Sequence, residues 1–164
     1  MRVQKWGPHG WEYFHTVTFN YPEKIDQTNE EHREFQFYYR QQFENLQFTL
    51  PCVYCRQSYK RFLKEDPLEP NLWSRKDLTY WFYRIHNKVN AKLRKQEIEL
   101  FEKRVNELKK KPLQGGEFFR QKQKLAMEIL FTPPDPSYSE ICHKFNGYRA
   151  GCSKDANKIA SCRV

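Results

Sequence analysis

Apolar residues along this chain return every three or four positions and almost never alternate, which predicts helices and no sheet. From Gly10 to Phe19 the spacing puts Trp11, Phe14, His15 and Thr18 on one helical face, and Tyr21-Pro22 ends the segment. A second helix is expected after Thr28 or Asn29, where Glu30 and Glu31 suit the positive first turn. Its stripe is Phe35, Tyr38 or Tyr39, Phe43, Leu46 and Leu50. Pro51 separates it from a third helix, which carries Tyr59, Phe62 and Leu63 to about Glu65. After a loop holding Asp66-Pro67 and Glu69-Pro70, Ser74-x-x-Asp77 resembles a capping box and opens a fourth helix. That helix presents Leu78, Trp81, Phe82, Ile85, Val89 and Leu93, then Ile98, Phe101, Val105 and Leu108 at 3-4-3 spacing. Pro112 and Gly115-Gly116 break it. Residues 117–131, with Phe118, Leu125, Ile129 and Leu130, are expected to fold back as the second arm of a helical hairpin. Beyond Pro133-Pro134 a short helix near Ser137 to Tyr148 leads into a polar tail.

A length of 164 residues suits one core, and 16% aromatic residues can fill that core or wrap a planar cofactor. With no apolar run of about 18 residues, no membrane span is expected. Met1 to Trp6 lacks the apolar core of a secretory signal, so a cytosolic start is expected. The net charge is +9, and residues 92–124 hold eleven Lys or Arg against five Glu, an excess of +6. Such a segment can hold nucleic acid, yet a solvated helix face has the same composition, and no nucleic-acid motif accompanies the charge. Nucleic acid is therefore not the expected partner.

Chemistry concentrates at Pro51-Cys52-Val53-Tyr54-Cys55, where two cysteines open a helix. A helix N-terminus stabilises a thiolate, and the spacing lets one sulfur attack while the other resolves. A redox dithiol, half of a zinc site and two unrelated core thiols compete for the motif. No second Cys or His pair lies nearby, and no βαβ pattern surrounds it, so a dithiol must work inside a helical domain. On the fourth helix His86, Asn90 and Leu93 share a face bordered by Val89, and Trp11 and His15 pair likewise at i, i+4. Polar groups among large apolar neighbours need partners, either within the protein or on a planar ligand with polar edges. A flavin is such a ligand and accepts two electrons from a thiolate. Cys142, Cys152 and Cys162 remain, ten apart. Two of them could form a second disulfide, and a zinc site with His143 lacks the usual close ligand pairs, so no metal is expected.

In these motifs the chain resembles the Erv/ALR family of FAD-linked sulfhydryl oxidases. The family's Trp-Gly-x-x-x-Trp…His opening stands here as Trp6-Gly7…Trp11…His15, its Cys-x-x-Cys as Cys52 to Cys55. Its His-Asn-x-Val-Asn-x-x-Leu-x-Lys helix stands as His86-Asn87…Val89-Asn90…Leu93…Lys95, and the resemblance covers about residues 5–95. It implies an all-α four-helix bundle with an additional short helix, binding FAD and dimerising. The implied domains are an oxidase core over 1–95, a basic helical extension over 96–132 forming the hairpin, and a cysteine-bearing tail over 133–164. Cys55 would pass electrons to the flavin and Cys52 would exchange with the incoming dithiol, with O₂ reduced to hydrogen peroxide. Trp6, Gly7, Gly10, Trp11, His15, His86, Asn87, Val89, Asn90 and Leu93 would cradle FAD. Lys95 would meet its phosphates, and Tyr148 would complete the adenine side. The implied partners are dithiol proteins or a thioredoxin-like carrier, O₂ and a second copy of the chain.

Two departures stand out. Many cellular members carry a further disulfide after the active-site helix, but no cysteine lies between Arg56 and Ile141, so Leu72 and Trp73 are expected to hold that region by packing. Arg94 replaces the family's usual glycine. Some viral members also lack the disulfide, which favours an infected-cell cytoplasm or virion, with the mitochondrial intermembrane space as the alternative. Two of Cys142, Cys152 and Cys162 are expected to form a disulfide that either shuttles electrons to Cys52–Cys55 or serves as a purely structural bridge. The competing reading of the whole chain is a helical binding module whose basic extension holds nucleic acid or an acidic partner.

Overall fold

The computed structural model describes residues 3–149, with side chains from Lys5 onward. Among them run six α-helices: α1 (Val3–Phe19), α2 (Glu30–Thr49), α3 (Val53–Glu65), α4 (Arg75–Lys109), α5 (Glu117–Ile129) and α6 (Tyr138–Asn146). A 3-10 turn spans Glu69–Asn71, and the one extended pairing among the described residues is an isolated bridge between Lys24 and Ser74. The all-helical expectation holds. The chain forms two compact units, one from residues up to His86 together with those from Pro136, the other from Asn87 to Asp135.

In the first unit α1 begins at Val3, not Gly10, and runs through Pro8. A proline this near the N-terminus costs one early hydrogen bond, and the helix continues past it. Asn29 caps α2, its side chain accepting the His32 N–H, and Glu30 and Glu31 lie in the first turn as expected. Of the two neighbouring tyrosines, Tyr39 turns inward and donates its hydroxyl to the Val17 carbonyl at 3.2 Å, whereas Tyr38 is 64% exposed. Four helices converge on Phe43, which is fully buried. Its ring meets Phe14 of α1 and Trp81 and Phe82 of α4 at centroid distances of 6.0, 5.7 and 5.3 Å. Its carbonyl accepts the Tyr59 hydroxyl of α3 at 2.9 Å. Tilted and edge-on rings at these distances attract beyond their area of contact.

The region after α3 is held without a disulfide. Leu72 is fully buried, and its carbonyl accepts the Tyr21 hydroxyl at 2.9 Å and the Gln36 amide at 3.1 Å. Asp66, the C-cap of α3, receives two hydrogen bonds from Arg84 at 2.8 Å each, and its carbonyl receives the Trp81 indole N–H at 2.9 Å. Trp73 does not share this packing: its backbone carbonyl accepts the Ile25 N–H at 2.9 Å, and the indole is left half exposed. Ser137 and Glu140 form a reciprocal capping box that starts α6, which packs Ile141 and Phe145 against Phe19.

Within the second unit Val105, Leu108 and Ile129 are buried, as their spacing predicts. Ile98 is not: it is 51% exposed while its neighbour Glu97 is buried. The Glu97 carboxylate receives both the backbone N–H and the hydroxyl of Thr132, which places the returning chain on that side of α4. α5 ends at Ile129, leaving Leu130 and Phe131 exposed beyond it.

Candidate functional site

Cys52 is the N-cap of α3. Leu50 ends α2, Pro51 forbids its continuation, and Arg56 reaches back to the Leu50 carbonyl at 2.6 Å to brace the corner. The Cys52 sulfur accepts the Cys55 N–H at 3.4 Å, so it sits on a first-turn amide at the positive end of the helix. That position favours a thiolate at Cys52. Both cysteines are half-buried, while the two residues between them, Val53 and Tyr54, are exposed.

A second cluster in the same unit is built from α1, α4 and α6. His15 is 1% exposed, and its Nε2 lies 3.1 Å from His86 Nδ1. Trp11, one turn before His15, stacks on His86 with centroids 3.8 Å apart and planes 11° from parallel. Phe82 meets both Trp11 and His15, and Phe145 stacks on His15 at 4.9 Å. Tyr148 stands edge-on to Phe145 at 5.5 Å, ending a ladder of rings. Burial first, then His86 and Lys144, pulls the His15 pKa down to about 3, so His15 is neutral at physiological pH. One proton between Nε2 and Nδ1 satisfies both atoms, but His15 Nδ1 and the Trp6 indole N–H are buried without partners among the described residues. Gly10 lies under the Trp6 ring, where a Cβ would stand 3.5 Å from it, an ordinary contact.

The second unit holds the remainder of the motif on α4. Asn90 is buried, and its Nδ2 donates to Asp135 Oδ1 at 2.9 Å. Arg94 grips the same carboxylate through both Nη atoms, at 3.1 and 2.5 Å, and also donates to the Pro133 carbonyl at 3.0 Å. With the Glu97–Thr132 pair, residues 90, 94 and 97 tie the strap Thr132-Pro133-Pro134-Asp135 along successive turns of α4. The i, i+4, i+7 spacing puts all three on one face. Asn87, Val89 and Leu93 are half-buried, and Lys95 is exposed, 4.0 Å from Glu99.

The expected site residues thus fall into a cysteine corner, a Trp–His ladder and an Asn90 strap. Phe145 and Asp135 were not legible as site residues. Phe145 has a local signal, the Ser-x-x-Glu box that starts α6, whereas Asp135 has none because its partners lie more than forty residues away. Cys142 is half-buried against the Phe19–Phe145 cluster, beside Tyr138, whose hydroxyl bonds that of Thr79 at 2.7 Å. Cys152 and Cys162 lie outside the described residues.

Three relatives are similar to this chain. A probable FAD-linked sulfhydryl oxidase of Acanthamoeba polyphaga mimivirus is 35% identical over 91 residues, 55% of this chain and 59% of that one. The mitochondrial FAD-linked sulfhydryl oxidase of Saccharomyces cerevisiae is 30% identical over 98 residues, 59% of this chain and 47% of the yeast protein. An FAD-linked sulfhydryl oxidase of African swine fever virus is 29% identical over 99 residues, 57% of this chain and 71% of the viral one. The chain spans about half the length of the first two. The profile of the Erv1 / Alr family matches residues 8–111, well over half of the sequence and including the cysteine corner, Trp11, His15 and His86 of the ladder, and the Asn90 helix, so the chain belongs to the Erv1 / Alr family.

Proposed function

We propose that this protein is an FAD-dependent thiol oxidase that makes disulfides in other proteins and reduces O₂ to hydrogen peroxide. The observation that carries this reading is the Cys52 sulfur on the Cys55 amide at the start of α3, inside the family-matched segment. The residues present suit the cofactor. The imidazole nitrogen of His15, set among rings, and the Trp6 indole nitrogen are buried without partners among the described residues, and a large aromatic ligand with polar edges would satisfy such groups. Trp6, Trp11, His15 and His86 would hold its ring system. Asn87, Val89, Asn90, Leu93 and Lys95 follow on the same helix, and Tyr148 closes the ladder. When bound, FAD supplies the two-electron acceptor for the cysteine pair and the route to O₂.

The chain's own chemistry is thiol–disulfide exchange. A substrate thiolate attacks Cys52 in the oxidised pair, forming a mixed disulfide and releasing Cys55 as a thiolate. The second substrate thiolate then attacks its partner sulfur, releasing the substrate as a disulfide and Cys52 as a thiolate. Two electrons and two protons leave the substrate in each cycle. The N-terminal amide beneath Cys52 makes it the better leaving group, which suits it to the exchanging role. Cys55 is the sulfur that hands the electrons on.

The expected partners are dithiol proteins or a thioredoxin-like carrier and a second copy of the chain. Phe37, Tyr38 and Phe48, exposed along α2, supply apolar surface for such a copy. No helix among the described residues is long and apolar enough to cross a membrane. The viral relatives favour the cytoplasm of an infected cell or a virion, with the mitochondrial intermembrane space as the alternative. The first test is the visible spectrum of the purified protein, followed by oxygen uptake with dithiothreitol. Flavin bands that bleach with dithiol, with uptake lost in Cys55→Ser, are the expected result. A colourless protein that FAD cannot restore would leave the binding-module reading.

A further inference from the structure

We propose that Asp135 is a positioning residue that sets the Asn90 amide, so that its carbonyl and not its NH₂ group is offered to bound FAD. This rests on the FAD reading above. A carboxylate can only accept hydrogen bonds, so the Asn90 atom 2.9 Å from Asp135 Oδ1 must be the nitrogen. The amide is planar, and committing its nitrogen to Asp135 turns its carbonyl oxygen the other way. Asn90 is 8% exposed, so a flip would bury its carbonyl oxygen against a carboxylate oxygen, two acceptors face to face.

The carboxylate is itself held. Arg94 grips both of its oxygens and the Pro133 carbonyl, and Glu97 fixes Thr132 three residues before Asp135. Both Nη groups of the arginine are thereby engaged on the strap. The amide donor that would otherwise meet a ligand acceptor is likewise taken. What remains is an acceptor suited to an N–H or O–H of the nucleotide.

The test is a double-mutant cycle on FAD affinity in the full-length protein. Apoprotein is titrated with FAD and the dissociation constant read from flavin fluorescence for wild type, Asp135→Leu, Asn90→Ala and the double variant. Asp135→Leu is expected to weaken FAD binding about tenfold, the scale of one buried hydrogen bond, with Asn90→Ala comparable. The double variant should bind no more weakly than Asn90→Ala alone. Any loss of melting temperature in Asp135→Leu should persist in the Asn90→Ala background, which separates strap packing from action through the amide. Asp135→Asn keeps the shape and one accepting oxygen, so its affinity should fall between wild type and Asp135→Leu. Losses that multiply in the double variant, or an Asp135→Asn protein that binds FAD as wild type does, would overturn the assignment while leaving the oxidase reading intact. Wild-type apoprotein that takes up no FAD would overturn both.

Discussion

His15 carries the largest residue-scale consequence for pH. Its pKa is held at about 3 by burial, with His86 and Lys144 adding to the shift, against 6.5 for a free imidazole. The unfolded chain binds a proton as pH falls through 6.5 while the folded chain does so only near 3, so this residue's contribution is intact above 6.5 and is lost progressively below it. The slope approaches about 1.4 kcal/mol per pH unit in that window. Thermal melts between pH 7 and 4.5 should therefore show a falling midpoint, and His15→Gln should flatten the curve while lowering stability at pH 7. At the cysteine corner, Cys52→Ser should abolish oxidation of both dithiothreitol and protein dithiols, as Cys55→Ser should, because exchange needs both sulfurs. The Cys-x-x-Cys motif and the Trp–His pair were legible because each is a short spacing on one helix. The stack of Trp11 on His86 was not, since it joins residues seventy-five positions apart in sequence.

At the scale of elements, one ion pair ties α3 to α4 and one capping box starts α6. Asp66 caps α3 and holds Arg84 by two hydrogen bonds in a partly buried pair. Replacing Asp66 with Ala leaves Arg84 without that acceptor, and a loss of about 2 kcal/mol is expected in denaturant unfolding. Asp66→Asn should recover part of it. The capping box of Ser137 and Glu140 starts α6, and Ser137→Ala should cost about 1 kcal/mol. Because α6 places Phe145 on His15, the same change should weaken FAD binding modestly. Helix positions followed from periodicity and caps, and the starts of α2, α3 and α4 agree with the sequence signals. The errors were local: α1 passes through Pro8, and Ile98 gives up its inward place to Glu97. A carboxylate becomes the inward residue when a partner, here Thr132, arrives from elsewhere in the chain.

For the whole molecule, the questions are what the basic segment and the tail cysteines do. Part of the segment's charge is paired internally, Arg94 with Asp135, Arg104 with Glu107 and Lys124 with Glu128, which weakens the case for a nucleic-acid surface. Binding to duplex DNA or RNA should accordingly be weak at physiological salt, measurable by fluorescence anisotropy, and a steep salt dependence with high affinity would revive the binding-module reading. The shuttle proposal predicts that Cys152→Ser or Cys162→Ser slows oxidation of a reduced protein substrate several-fold while sparing dithiothreitol. Equal loss with both substrates would sink it. Sedimentation should find a dimer.

The sequence by itself determined the helical class, the dithiol at a helix start and the family, because these are written in local spacings: a period of 3.6, a proline before Cys52, three ordered motifs. The tertiary structure alone decided which partner each polar side chain meets. His86 meets His15, and Asn90 meets Asp135. Periodicity says which face of a helix turns inward. It carries no information about which distant residue arrives there, and a hydrogen bond between distant positions has no local signature.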